Sequence, residues 1–262
     1  MTEVFFASLL LGLFAGLAAG LFGIGGGTII VPVLVWLFQA HDFAAERVML
    51  SAVATSLASA LLTSAASART HHQLGNIAWQ RVSRLAPSLL AGAAAGAVAA
   101  NHFNPEILRW CFVAYLLYTG VNMIRPQQAK TTIRTGSRCI DYIVGFLIGA
   151  LSAILGIGGG TMSVPYLAGS GLAMKNAIAT SSACAVAIAF SAAASYALLG
   201  QDENDAMRGQ LGHLYLPAFV GISLTSVLTA PVGAKLAHRL PAKRLKRYFA
   251  LVLIATALKM TQ

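Results

Sequence analysis

The sequence predicts an all-α polytopic membrane protein of 8–10 transmembrane segments, made of two internal repeats with broken or half helices at glycine-rich motifs. Three observations carry this. Hydrophobic residues make up 57% of the chain and charged residues 10%, against the roughly 25% charged of soluble domains, and mean hydropathy is +0.73. The apolar residues fall in successive runs, most of which approach the ~20 residues needed to cross ~30 Å of hydrocarbon. One motif, Gly-Ile-Gly-Gly-Gly-Thr, occurs twice. A soluble fold could not cover so much apolar surface.

In chain order the runs lie near 4–22, 28–40, 48–68, 82–100, 106–124, 140–155, 161–174, 177–199, 212–236 and 245–258. The first has the apolar stretch of a secretory signal in Val4 to Ala19, but Met1-Thr2-Glu3 supplies no basic region and membrane sequence follows directly. It is read as the first transmembrane helix. The runs at 28–40 and 161–174 are too short to cross comfortably alone, and each follows a glycine cluster. Each is expected to be a half-helix.

Shifting the sequence by 133 positions aligns Gly12 to Leu34 with Gly145 to Leu167. The matches include Gly23 to Thr28 with Gly156 to Thr161, and Val31-Pro32 with Val164-Pro165. A shift of 125 aligns Ala54-Thr55-Ser56 with Ala179-Thr180-Ser181, and a shift of 137 aligns Gly75 with Gly212, Gly96 with Gly233 and Phe112 with Phe249. The chain therefore divides into a first repeat at 1–125, a basic linker at 126–138 and a second repeat at 139–262. Such halves are a recurrent sign of transporters, whose site lies between the repeats near the bilayer midplane.

The net charge of +10 comes from arginines and lysines in short loops beside the spans: Arg69, Arg81 and Arg84, then Arg125 to Arg138, then Arg239 to Arg247. This is the positive-inside pattern, with anionic lipid headgroups rather than nucleic acid as the partner. The loop after the first Thr-Ser helix is basic, whereas its counterpart carries Asp202, Glu203 and Asp205. The repeats are therefore expected to be inverted, with five crossings each and both termini outside, if the short segments complete their crossings. Re-entrant short segments would instead give eight crossings and parallel repeats.

Four glycines inside a membrane helix, each costing about 1 kcal/mol relative to alanine, unwind it. Irregular backbone at that depth survives only inside protein or along a polar cavity. A new helix then starts with Thr28 as a possible cap and Pro32 close to its opening turn. The amides of Gly25, Gly26, Gly27 and Thr28 and those of Gly158, Gly159, Gly160 and Thr161, each at the positive end of a helix dipole, are expected to hold an anion. The alternative is that the glycines only permit close helix packing, the reading preferred for Gly12, Gly16 and Gly20.

Thr55, Ser56, Thr180 and Ser181 could donate hydroxyl hydrogen bonds to the same anion, or bond their own helices. Asn76 and His213 sit at equivalent loop positions; either could line an entrance, and a surface turn is the preferred reading. All eight carboxylates, Glu3, Asp42, Glu46, Glu106, Asp141, Asp202, Glu203 and Asp205, lie in loops or at helix ends, so none is a mid-membrane ion carrier. Cys111, Cys139 and Cys184 have no metal-ligand spacing, and neither a metal nor a cofactor is expected.

The duplicated glycine motif with its Val-Pro pairs, the two Ala-Thr-Ser triplets and Gly75-Asn76-Ile77-Ala78-Trp79 resemble the sulfite exporter TauE/SafE family across nearly the whole chain. The resemblance implies a bacterial inner-membrane permease for a sulfur-containing anion such as sulfite, thiosulfate or an organosulfonate, and not an enzyme. Export is expected separately, because an anion leaving an inside-negative cell gains roughly 2.3 kcal/mol per charge per 100 mV. The partners expected are a small anionic substrate and membrane lipids, with a homodimer left open. His213, where the first repeat has Asn76, departs from the repeat pattern. A passive anion channel is the main alternative, although no ring of like charges supports it. A serine protease is disfavoured because Ser170 lies outside any Gly-x-Ser-x-Gly, and no Gly-Lys-Ser/Thr follows the glycines to make a nucleotide loop.

Overall fold

The computed structural model describes residues 2–23, 25–41, 43–124, 138–200, 209–237 and 242–261. These form ten helices: α1 (Thr2–Phe22), α2 (Gly27–Gln39), α3 (Ala45–Gln73), α4 (Trp79–Asn101), α5 (Pro105–Ile124), α6 (Arg138–Leu155), α7 (Gly160–Gly169), α8 (Met174–Leu199), α9 (Leu216–Ala237) and α10 (Ala242–Met260). Six of them, α1, α3, α4, α6, α8 and α9, are long and apolar enough to cross a bilayer. Phe6, Leu10 and Phe14 on α1, Ile143 and Leu147 on α6, and Leu224 and Leu228 on α9 are exposed. A soluble protein would have to cover such stripes. Here hydrocarbon covers them.

The two five-helix units interleave. Helix α1 packs on α9 of the other unit, and its counterpart α6 packs on α4. The glycines explain the closeness. A Cβ on Gly12 would strike the carbonyl of Ile222, one on Gly16 would meet Ser226, and one on Gly20 would meet Ala230 and Ala234, while Gly221 lies against Phe5 and Ser8. Residue numbers rise together along both helices, so α1 and α9 run parallel. Gly92 and Gly96 do the same for α4 against Phe146 and Ala150 of α6. Small residues at spacing four let membrane helices approach backbone to backbone, which agrees with the packing reading of Gly12, Gly16 and Gly20.

Both short helices turn back along the helix before them. Gly26 lies beside Ala15 in the body of α1, and His41, just past the end of α2, meets Glu3 at the start of α1 at 3.3 Å. In the second unit Tyr166, near the end of α7, donates a hydrogen bond to Asp141 at the start of α6 at 2.5 Å. Each break and half-helix together therefore complete one crossing. Following the chain, α1 starts on the face marked by Glu3, α6 starts on the opposite face marked by Asp141, and α10 ends on the Glu3 face. The repeats are inverted.

Several boundaries differ from the apolar runs. Helix α3 extends to 45–73 because Arg69 to Gln73, polar and so outside the apolar run, continue it with Thr70 and His71 buried. The run at 212–236 begins in a hairpin, with Gln210–Leu211 paired antiparallel to Leu214–Tyr215, and α9 starts only at Leu216. The linker at 126–138, apart from Arg138, and the acidic loop with Asp202, Glu203 and Asp205 lie outside the described residues, as do Asp42 and Arg239. On the Glu3 face Phe38 and Phe43 stack at 4.3 Å, and both meet Tyr215 edge-on. That cluster ties the first unit to the hairpin of the second.

Candidate functional site

The two glycine breaks meet. A Cβ on Gly25 would lie 3.0 Å from the Cα of Gly158, and one on Gly27 would lie 2.8 Å from the Cα of Ile157. Backbone touches backbone across the units at this crossing. Helix α2 is entered through Gly26 at φ +80°, and α7 through Gly159 at φ +74°. Both are left-handed conformations that cost an L side chain about 1 kcal/mol or more. Glycine is required there by conformation and at Gly27 by space.

Each half-helix begins with free amides. The N–H groups of Ile29 and Ile30 share the carbonyl of Gly26, and those of Met162 and Ser163 share that of Gly159. Among the described residues no acceptor meets the N–H of Gly27 or Thr28, nor those of Gly160 or Thr161. A helix start leaves such donors unsatisfied unless a cap or ligand takes them. The capping role expected of Thr28 is not what the structure has: Gly26 is the N-cap, and Thr28 is the second residue of α2. Its hydroxyl is buried with no hydrogen-bond partner. Pro32 and Pro165, four residues past each threonine, have no N–H to return to the carbonyls of Thr28 and Thr161.

The two threonines differ. Thr161 is hydrogen-bonded through its hydroxyl to the Tyr115 hydroxyl of α5, whereas position 252 of α10, equivalent to 115, is a valine. Ser64 and Ser152 add two further buried hydroxyls without partners. The Ser64 oxygen lies 3.4 Å from where a Cβ of Gly25 would stand, and that of Ser152 lies 3.1 Å from the equivalent point on Gly159. These two were missed in the sequence because they are not repeated: the aligned positions are Ala189 and Ala19.

The Thr-Ser pairs clasp the opposite unit. Ser56 donates to the carbonyl of Gly156 at 2.9 Å, and Ser181 donates to that of Gly23 at 3.3 Å. The N–H of Tyr215 donates to Thr55 at 3.0 Å, and the N–H of Ala78 donates to Thr180 at 3.0 Å. All four side chains are buried. The protons of Ser56 and Ser181 are committed to the breaks in this conformation, so the donors left without partners there are the helix-start amides and the Thr28 hydroxyl. His213 is not a surface turn. It is buried, and its Nε2 pairs with Asn101 Oδ1 at 2.8 Å at the edge of a 910 Å³ cavity on the Glu3 face.

A sequence profile described as sulfite exporter TauE/SafE matches residues 8–260. The chain belongs to the TauE/SafE family. It is 37% identical over 253 residues to a probable membrane transporter protein of Haemophilus influenzae, covering 96% of both chains. It is 25% identical to a probable membrane transporter protein of Methanocaldococcus jannaschii, covering 91% of this chain and 88% of that one. No solved structure matches the chain. As a TauE/SafE protein it is a membrane transporter, and the relatives' names point to transport rather than catalysis. For this TauE/SafE chain the inverted repeats put the meeting point of the breaks at the crossing of its two units.

Proposed function

We propose that the protein carries a small sulfur-containing oxyanion, such as sulfite, thiosulfate or an organosulfonate, out of the cell across the bacterial inner membrane. The observation that carries this is the meeting of two helix amino termini, with unpaired amides at Gly27, Thr28, Gly160 and Thr161 and an unpaired hydroxyl at Thr28. Each helix start contributes about half a positive charge. An oxyanion accepts hydrogen bonds at several oxygens and is held by such donors without a buried counter-charge. Gly25, Gly26, Gly158 and Gly159 shape the cradle, and the Thr55-Ser56 and Thr180-Ser181 clasps hold it in place.

The positive-inside rule makes the Asp141 face cytoplasmic, since Arg69, Arg81, Arg84 and Arg138 lie at the helix ends on that side. Export of an anion from an inside-negative cell gains roughly 2.3 kcal/mol per charge per 100 mV. The test is flux of radiolabelled sulfite, thiosulfate and sulfoacetate in proteoliposomes by the unaltered protein, Thr28→Val, Thr161→Val and the double variant. A fall in flux of tenfold or more in the double variant is expected, and unchanged flux removes these hydroxyls from the site. Trans substrate should accelerate uptake; its failure to do so would replace the carrier with a channel.

A further inference from the structure

On the Asp141 face a second cavity, of 450 Å³, opens at the start of α4 and is lined by Ala78, Trp79, Gln80, Arg81, Arg84 and Leu172. Two guanidinium-bearing side chains one helical turn apart border one small opening. Arg81 is half-buried and Arg84 exposed. Behind them, Asp141 of the other unit is 6% exposed. One of its oxygens accepts the Tyr166 hydroxyl at 2.5 Å, and the other lies 3.7 Å from Arg81 Nη1. The carboxylate is thus an anion held beside the cavity-lining Arg81 by a hydroxyl donor and a guanidinium.

The arrangement exists on one face only. The repeat places Ser8 where the second unit has Asp141, Val33 where it has Tyr166, and Ala218 where the first unit has Arg81. A structural need shared by both units would leave a counterpart on the Glu3 face. None of the three residues is repeated, so the cluster serves something that differs between the faces. In a transporter of one prevailing direction, the mouth at which the anion loads is such a thing.

We infer that Arg81 and Arg84 form a loading subsite for an oxyanion on the Asp141 face, and that Asp141 occupies Arg81 until the anion displaces it. This rests on the anion-transport reading. Planar guanidinium forks suit oxyanions, and the 3.7 Å separation leaves the Arg81–Asp141 pair looser than the Tyr166–Asp141 bond. Displacement keeps Arg81 paired but leaves the buried Asp141 without its guanidinium, a cost that the anion's contacts with both Arg81 and Arg84 have to offset. Asp141 keeps Tyr166 throughout. The same cavity could attract an anionic lipid headgroup, whose phosphate offers the same chemistry, and the experiment separates the two.

The experiment measures equilibrium binding of radiolabelled thiosulfate in detergent, together with KM and Vmax for flux loaded from the Asp141 face in proteoliposomes with and without phosphatidylglycerol. The variants are Arg81→Gln, Arg84→Gln and Asp141→Asn. Arg84→Gln and Arg81→Gln should raise Kd and KM about fivefold or more, with Vmax moving less. Asp141→Asn should lower both, because the amide still accepts from Tyr166 but no longer holds the guanidinium. Should Arg81→Gln fail to fold, Arg84→Gln and Asp141→Asn decide the matter between them. Unchanged constants in both, or a raised KM in Asp141→Asn, would overturn the subsite while leaving transport intact. A KM that follows phosphatidylglycerol content and loses that dependence in Arg84→Gln would give the cavity to lipid. Absence of any binding or flux in the unaltered protein would overturn both readings.

Discussion

A hydroxyl buried without a partner is a cost, and Thr28 carries one within a chain whose other small polar residues are mostly paired. Replacing Thr28 with valine, of nearly the same shape, should leave stability unchanged or raise it by about 1 kcal/mol, since an unsatisfied buried polar group is removed. Anion flux should fall in the same variant, and thermal unfolding in detergent beside flux in liposomes separates the two effects. Loss of both together would mean that Thr28 has a structural partner. Ser56→Ala should behave in the opposite way. It strips the carbonyl of Gly156 of its buried donor and should cost about 1–2 kcal/mol, read as a lower midpoint of unfolding. Ser181→Ala, at the longer bond to Gly23, should cost less.

At the scale of the element, the glycines divide by what they do. Gly12, Gly16, Gly20, Gly92 and Gly96 let whole helices lie together, whereas Gly26 and Gly159 let the chain reverse into a half-helix at positive φ. Gly27 is the tightest of the break residues, with Gly156 and Ile157 already against it. Gly27→Ala should cost about 1–3 kcal/mol through overpacking, measured by thermal unfolding. A neutral result would show that the breaks can part without loss of the fold.

The helices and their breaks were legible from the apolar runs and the duplicated glycine motif. A pair of short apolar runs after Gly25 to Gly27 and Gly158 to Gly160 has few other physical solutions in a membrane. The end of α3 at Gln73 was not legible, because Arg69 to Gln73 are polar although Thr70 and His71 are buried. Within the helix the buried row Thr55, Ser59, Thr63 and Ser67 is visible as a spacing of four. Its meaning depended on α8 and α9 lying against it, through Ser67 to Ser182 and Thr63 to Ser226. The partners of Ser56 and Ser181 were equally hidden, since repeat alignment pairs each residue with its copy and not with what it touches. The asymmetric cluster at Asp141 escaped for a related reason: a search for repeats passes over what only one copy has.

For the molecule as a whole, inversion was anticipated from loop charge, and it is now carried by helix pairings that owe nothing to the acidic loop. Parallel contact of α1 with α9, and the return of α2 to Glu3 and of α7 to Asp141, put the start of α1 and the end of α10 on the same face. A reporter fused after Gln262 should therefore share its side of the membrane with one fused before Thr2, and a reporter inserted between Arg125 and Arg138 should lie opposite. Periplasmic alkaline phosphatase activity at the ends and its absence in the linker are the expected readings. A cytoplasmic carboxyl terminus would reverse the sidedness inferred from the arginines, though not the fold.

The clasps of Ser56 on Gly156 and Ser181 on Gly23 join two halves that need not be one polypeptide. If the backbone were cut between residues 130 and 131, the pieces would still present every one of these bonds to each other and none of them internally. Each fragment made alone should be degraded, because its break would lack the serine that steadies it. Made together in one cell, the fragments should copurify and restore flux. Seen this way, the protein is a heterodimer that happens to be translated as a single chain.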